Sequence, residues 1–305
     1  MNLPKILICF ALAASLIIPA GAINVAAHAR APYLETVRVE DDFNLSYPVG
    51  KSDEIVAYLK SRYIDDQSFV NSLGSEFSSS YGDEVFTDKY FDTPGLDLYQ
   101  RRAGLRHRLR VDLLDPNSEK SGRELIQLKL SAEDKLLEQD SSGSRNEIKF
   151  DVVYPDLTEK DDFHPVIGLI HQDEREQFKV YVQDLKINPY KFKQILVLQQ
   201  HRRRIYLNLN GETFISFSID DVKSARWWAK AEFSQMEIEL NEVAYTGADQ
   251  ATKDRMHQIR EEMIQDLREQ FGYLQDDTTI KYTKTFDLLA EKIFWFKFWI
   301  LIGVL

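Results

Sequence analysis

Thiols are all but missing from this chain. Of its 305 residues only Cys9 is a cysteine, which excludes a disulfide framework and a cysteine-ligated metal centre. Histidine is sparse and scattered, six in all. There is no His-Glu-x-x-His pair, no Gly-x-x-x-x-Gly-Lys-Ser/Thr loop and no Gly-x-Ser-x-Gly elbow. Zinc-protease, P-loop and serine-hydrolase chemistries therefore have no foothold. Positive charge is in deficit: 38 Lys and Arg stand against 49 Asp and Glu, a formal net charge of −11. A field of that sign disfavours non-specific binding to nucleic acid or to anionic membranes, but leaves room for a local basic pocket. No internal repeat stands out. What is present, 44% hydrophobic and 29% charged residues, is the make-up of a folded globular chain.

Long apolar runs are few, and two sit near the ends; the C-terminal one falls short of the about 20 residues a bilayer-spanning helix needs. Ile6 to Pro19 follows Lys5 and precedes Ala20-Gly-Ala22, small residues of the kind a signal peptidase cleaves beside. Residues 1–22 thus read as a signal peptide. Ala27-His-Ala29 and Ala29-Arg-Ala31 are alternative cleavage sites, and an uncleaved anchor is the competing reading. Export to a periplasmic, extracellular or secretory lumen follows, and cleavage removes the single thiol. At the other end, the apolar stretch Ile293 to Leu305 holds two tryptophans and Lys297. That mixture suits a membrane interface. The alternatives for residues 291–305 are a final core helix and a truncated span.

Between these ends, residues 36–290 read as one mainly β domain with flanking helices. Ser52 to Tyr63 carries an apolar stripe of Ile55, Leu59 and Tyr63, with Ser52 as its expected cap and Asp53 and Glu54 at its positive end. Ala251 to Phe271 aligns Met256, Ile259, Met263, Leu267 and Phe271 and stops at Gly272. Polar Gly/Ser-rich breaks at 115–122 and 138–144 read as hairpin loops. Residues 156–189 are a charged insertion of unassigned structure.

The strands carry the functional signal. Successive strand side chains point to opposite faces. Leu105 to Val111 puts Arg106, Arg108 and Arg110 on one face; Ile126 to Leu130 separates Gln127 and Lys129 from three aliphatics. Arg145 to Asp151 aligns Arg145, Glu147, Lys149 and Asp151. Arg202, Arg204 and Tyr206 share a face, as do Gln235, Glu237 and Glu239. His107 falls on the other side of its strand and reads as structural. An open sheet with one wet face gives this pattern, and so does a barrel with a polar lumen. A barrel of about eight strands has an interior that side chains just fill. Filling it with Arg and Lys is costly unless anions or carboxylates neutralise them.

In order along the chain stand Tyr90-Phe-Asp-Thr-Pro94, Gly104-Leu-Arg-His-Arg108, Gln127-Leu-Lys129, Arg145-x-Glu147, Arg202-Arg-Arg204, Ile219-Asp220, Glu237-Ile-Glu239 and Ile280-Lys-Tyr282. In that order and spacing the chain resembles the CYTH domain, a branch of the triphosphate tunnel metalloenzymes. It is similar also to the polyphosphate polymerase domain of vacuolar transporter chaperones. The resemblance implies a closed eight-stranded antiparallel β-barrel with flanking helices, whose basic lumen grips a triphosphate or polyphosphate. It implies phosphate ligands at Arg106, Arg108, Lys129, Arg145, Arg202, Arg204 and Lys281. It also implies Mg²⁺ or Mn²⁺ at Glu237 and Glu239, with Asp220 nearby. The opening motif departs from the family's Glu-x-Glu-x-Lys: here it reads Glu40-Asp-Asp42-Phe-Asn44. Glu40 and Asp42 are the expected remaining metal ligands, and Asn44 lacks the lysine's charge.

The expected function is metal-dependent hydrolysis of inorganic tripolyphosphate or an organic triphosphate, with Glu237, Glu239 and Lys281 as catalytic residues. A non-catalytic polyphosphate-binding module is the second reading, because of Asn44. A polyphosphate polymerase or adenylate cyclase is the third. No nucleic-acid partner is expected, and membrane contact is assigned to the C-terminal segment. The sequence does not select an oligomeric state.

Overall fold

The computed structural model describes residues 37–40, 42–130, 145–154 and 156–303, with only the backbone described at 37–40, 42, 145, 242, 243 and 246. The signal-peptide reading of 1–22 and the loop at 138–144 lie outside these residues. The chain divides at Thr36/Val37, and every strand and helix named below belongs to the second unit.

Ten strands form one antiparallel sheet. They are β1 (Val37–Glu40), β2 (Asp42–Tyr47), β3 (Phe77–Asp92), β4 (Gly104–Asp112), β5 (Glu124–Lys129), β6 (Arg145–Asp151), β7 (Lys193–Leu209), β8 (Glu212–Arg226), β9 (Ala229–Leu240) and β10 (Gln275–Asp276). The helices are α1 (Ser52–Lys60), α2 (Ser68–Leu73), α3 (Asp97–Gln100), α4 (Gln172–Asp184), α5 (Glu242–Gly247), α6 (Gln250–Gln270), α7 (Lys281–Ala290) and α8 (Phe296–Leu301). The sheet order is β1-β6-β5-β4-β3-β7-β8-β9-β2-β10. That order has two ends, where the sequence predicts closure with eight strands. Yet β1, which pairs with β6, and β2, which pairs with β9, are consecutive in the chain on either side of residue 41.

Alternation along the strands separates two faces, and helices cover the apolar one. The stripes of α1 and α6 bury Ile55, Leu59, Met256, Ile259, Met263 and Leu267 against Leu45, Ile205, Phe217, Met236 and Ile238. Helix α4 buries Phe178 and Val182 against Leu105, Ile126, Leu128, Ile148 and Phe150. Helices α7 and α8 bury Phe286, Leu289, Phe296 and Ile300 against Leu196, Leu198, Val222 and Phe233. Each such side chain removed from water stabilises by about 1.5–3 kcal/mol, which makes these three clusters the main driving force for the layered arrangement.

Two local expectations are corrected. Ser52 does not cap α1; the cap position is Lys51, and the Ser52 hydroxyl donates instead to Asp221 Oδ1 at 2.5 Å. The ionised carboxylate of Asp221 on β8 accepts a charge-assisted bond from that hydroxyl, stronger than the neutral bond a cap makes with a backbone amide. The long helix begins at Gln250, capped by Asp249, whose side chain accepts from the Thr252 amide at 2.8 Å. Residues 115–122 do form the loop between β4 and β5, and the charged insertion contains α4.

Candidate functional site

The polar face is also buried. Asp88 and Asp220 have no exposed surface, and Glu84, Arg108, Glu147, Gln200 and Arg202 have almost none. Arg106 of β4 and Lys129 of β5 line one cavity of about 40 Å³ together with Gln235 and Glu237 of β9 and Asn44 of β2. These strands are far apart in the hydrogen-bonded order. The sheet therefore curls its polar face around a shared interior.

Cations and carboxylates interdigitate in that interior. Arg108 grips Asp88 in a two-pronged pair, Nε to Oδ1 and Nη2 to Oδ2, both at 2.6 Å. Arg202 grips Asp220 the same way, both contacts at 2.6 Å. Gln200 links the two pairs: its Nε2 donates to Asp220 Oδ1 at 2.9 Å, and its Oε1 accepts from Arg108 Nη2 at 3.4 Å. Phe86 lies beneath both guanidiniums, at 4.3 Å from that of Arg108 and 5.7 Å from that of Arg202. Toward one side, Arg106 Nε donates to Gln127 Oε1 at 2.7 Å, and its Nη2 lies 3.8 Å from Glu147. Lys149 pairs with Glu147 at 2.5 Å. Toward the other side, Arg110 pairs with Glu84, and Arg204 donates to Ser218 Oγ at 2.9 Å.

Lys281 reaches this interior from a helix. It is the first residue of α7, whose position is set by Asp92. That carboxylate accepts from the amides of Thr93, Leu98 and Tyr99 and from the Tyr282 hydroxyl at 2.9 Å, and Tyr282 stacks on Tyr90 at 5.1 Å. The Tyr90-Phe-Asp-Thr-Pro94 motif therefore docks the helix that delivers Lys281. The Lys281 ammonium lies 3.0 Å from Asp220 Oδ2 and pairs closely with Glu237, which Arg202 also contacts.

Glu237 and Glu239 sit two apart on β9 in unlike surroundings. Burial pushes the Glu237 carboxyl up, but Lys281, Arg202 and Lys129 outweigh it and hold it well below the usual carboxylate range. Asp220 is lowered for the same reason: Arg202 and Lys281 overcome its burial. For Glu239 burial wins, the Glu237 charge adds to it, and the carboxyl is raised despite Arg204. Glu239 forms no ion pair with any described residue. In register, Glu239 stands opposite Asp42 and Glu237 opposite Asn44. Asn44 Oδ1 accepts from Gln235 Nε2 at 3.1 Å.

The structure thus brings together Arg106, Arg108, Lys129, Arg202, Arg204, Lys281, Asp220, Glu237 and Glu239. The backbones of Arg145 and Glu40 are register partners in the β6–β1 ladder. Asp220 serves the arginine and lysine, which occupy both its oxygens. Among the described residues no three carboxylates or imidazoles form a ready metal cluster. The interior is also less basic than the sequence predicts. Glu84 and Asp88 of β3 were missed, although Glu84, Phe86, Asp88 and Tyr90 alternate on one face of a single strand.

The CYTH domain family model matches residues 59–270, well over half of the chain. The chain belongs to the CYTH domain family. Solved structures to which the chain is similar are of low identity. A candidate adenylate cyclase from Bacillus halodurans is 14% identical with a TM-score of 0.44, covering 85% of this chain and 99% of its own. A protein from Pyrococcus horikoshii is 16% identical with a TM-score of 0.42, covering 83% and 100%. A candidate adenylyl cyclase from Hippeastrum, described as having a dominant triphosphatase activity, is 12% identical with a TM-score of 0.46, covering 80% and 93%. No curated protein sequence matches the chain.

Proposed function

We propose that this CYTH domain binds the phosphate chain of a triphosphate compound and, with Mg²⁺ or Mn²⁺, hydrolyses a phosphoanhydride bond. The single observation that supports this most is the Glu237/Glu239 pair, one carboxylate locked between Lys281 and Arg202 and its neighbour left without an ion pair. A purely structural ion network would be expected to partner both, because an unpaired buried carboxylate is costly. Glu237 and Glu239, with Asp42 opposite in register, are hard oxygen donors of the kind Mg²⁺ and Mn²⁺ take. The metal would neutralise phosphate charge and lower the pKa of bound water.

The chain's own residues supply the rest. Phosphoryl transfer spreads negative charge over the phosphate oxygens, so the catalyst chiefly positions and neutralises. Arg106, Lys129 and Lys281 border the cavity and would receive phosphate oxygens first. Arg108, Arg202 and Arg204 stand beside them on the same polar face. A cavity of about 40 Å³ holds only a few waters. A triphosphate must therefore part the Glu237 ion pairs, exchanging a carboxylate for phosphate oxygens on Lys281 and Arg202. We propose too that the sheet closes through the stretch joining β1 to β2, which makes the interior a tunnel.

A second reading, binding without hydrolysis, is favoured by Asn44, which gives Gln235 a neutral hydrogen bond where the family places a lysine. Phosphate release from tripolyphosphate, ATP and thiamine triphosphate, with and without Mg²⁺ or Mn²⁺, separates the two. The enzyme reading expects metal-stimulated release that falls by about 10²-fold or more in Glu237→Gln/Glu239→Gln, given the several kcal/mol a metal supplies. If the wild type releases no phosphate while tripolyphosphate still raises its melting temperature, binding alone stands.

A further inference from the structure

The C-terminal helix presents apolar side chains on both of its faces. Ile293, Phe296 and Ile300 pack into the core, while Phe294, Trp295, Phe298, Leu301 and Ile302 point outward, Phe294 at 80% exposure. A surface helix of a water-soluble domain carries polar residues on its outer side. The β8–β9 hairpin extends the patch. Its two-residue loop is Trp227-Trp228, between the paired residues Arg226 and Ala229. The indoles stack at 5.5 Å, and Trp228 is 72% exposed. Lys292 Nζ donates to the Lys230 carbonyl at 2.6 Å, which joins the helix segment to the hairpin.

The backbone carries a second sign. Trp227 has φ 52 and Trp295 φ 64, in the left-handed region that disfavours bulky side chains. A tight hairpin turn with positive φ at its first central residue calls for Gly there. Trp in that place sacrifices turn stability, a pattern found where a side chain must be displayed.

Charge selects the occupant. Residues 223–232 hold Lys223, Arg226 and Lys230 against Glu232, which pairs with Lys223 at 3.1 Å; residues 291–303 hold Lys292 and Lys297 against Glu291. The first segment is thus +2 and the second +1, in a chain of net charge −11. A second copy docked on this face would bring like charges together. An anionic lipid surface complements them, and Trp with Lys is the composition favoured at the headgroup level. No described helix is long and apolar enough to cross a membrane. We infer that the Trp227–Trp228 hairpin tip and the outer face of residues 294–302 form one docking surface for an anionic bilayer, seated in its interface rather than spanning it.

All four tryptophans, at 227, 228, 295 and 299, lie in these two segments, so tryptophan emission, excited where tyrosine does not absorb, reports on these segments. The full chain is titrated with phosphatidylcholine vesicles, with and without phosphatidylserine, and with brominated lipid. The expected result is a blue shift and bromine quenching, stronger with phosphatidylserine and weakened by salt. Trp227→Gly with Trp228→Ser supplies the turn chemistry the hairpin calls for, so the variant folds at least as well. It should lose about tenfold or more in vesicle partitioning, as should Phe294→Ser with Phe298→Ser, read from the remaining tryptophans and by flotation. Emission unmoved by saturating lipid overturns the proposal, including when the chain floats with vesicles through residues 6–19. So does self-association in water that the same substitutions abolish, which would make the occupant a second copy.

Discussion

Arg202, Arg203 and Arg204 are consecutive on β7, and Asp220 and Asp221 are consecutive on β8, but they serve two different networks. Arg202 faces the interior, where it grips Asp220 with both prongs and touches Glu237. Arg203 faces outward, toward α1, pairing with Asp53 and lying 3.1 Å from Asp221. Asp221 also accepts from Ser52 and Ser234, at 2.5 and 2.7 Å. The inner carboxylate has no exposed surface; the outer network ends in Asp53, which is 93% exposed at its side chain. Identical residues one step apart thus do different work. The inner pair can exchange partners with an entering anion, whereas the outer one fastens a helix to the sheet.

The sharpest way to break that comparison is to remove each arginine in turn. Arg202→Ala leaves Lys281 as the remaining ion-pair partner of Asp220 and Glu237 among the described residues, and loss of one partner from a buried pair costs about 3–5 kcal/mol. Urea unfolding should show that loss, and tripolyphosphate should no longer raise the melting temperature. Arg203→Ala leaves Asp221 its two hydroxyl donors and frees Asp53 to water, so a loss of only about 1 kcal/mol is expected. Its response to tripolyphosphate should match the wild type. Equal costs, or loss of the tripolyphosphate response in Arg203→Ala, would show that the two networks are one.

Acid should separate the networks next. Asp88 is buried, but Arg108 and then Arg106 hold its carboxyl below the ordinary value, and Asp220 is lowered likewise. A carboxylate with a depressed folded pKa binds fewer protons than its unfolded counterpart, so its contribution is complete above the unfolded value, about 4. That contribution is lost as pH falls through the folded value. The melting temperature should therefore drop steeply below about pH 4, and Asp88→Asn, already destabilised at neutral pH, should show a shallower drop. A slope unchanged by Asp88→Asn would count against the interior pairs as its source.

Much of this is legible in the sequence. Arg106 and Arg108, Lys129, Arg202 and Arg204, and Glu237 and Glu239 sort onto one face by alternation alone, and the stripes of α1 and α6 are those the apolar spacing predicts. Alternation states a face, however, and not a partner. The Arg108–Asp88 pair depends on β3–β4 register, which sets Asp88 opposite Arg108. Ser52 was misassigned because its acceptor lies on β8, distant in sequence. Helix α4 was hidden because Arg175 and Lys179 are buried on its inner side, where Arg175 Nη1 holds Asp162 at 2.7 Å, so the apolar period is blurred.

The smallest expected effect bears most directly on chemistry. Glu239 differs from Glu237 in having no ion pair, and burial raises its carboxyl. A group whose folded pKa is raised stabilises below its unfolded value and withdraws that support as pH rises through the folded one. At neutral pH an ionised Glu239 is therefore a liability that Glu239→Gln relieves, by less than about 1 kcal/mol. A divalent cation relieves the same liability by binding it. Mg²⁺ or Mn²⁺ should then raise the melting temperature of the wild type and leave that of Glu239→Gln where it was, because ligand bound to the native state stabilises by mass action. The gain from Glu239→Gln without metal should shrink as pH falls through the raised folded value, where the wild-type carboxyl protonates, and be gone below the ordinary carboxylate value of about 4.5. If instead Glu239→Gln destabilises at neutral pH and metal acts equally on both proteins, Glu239 is a partner of Arg204 within the ion network, and the two carboxylates of β9 do the same work after all.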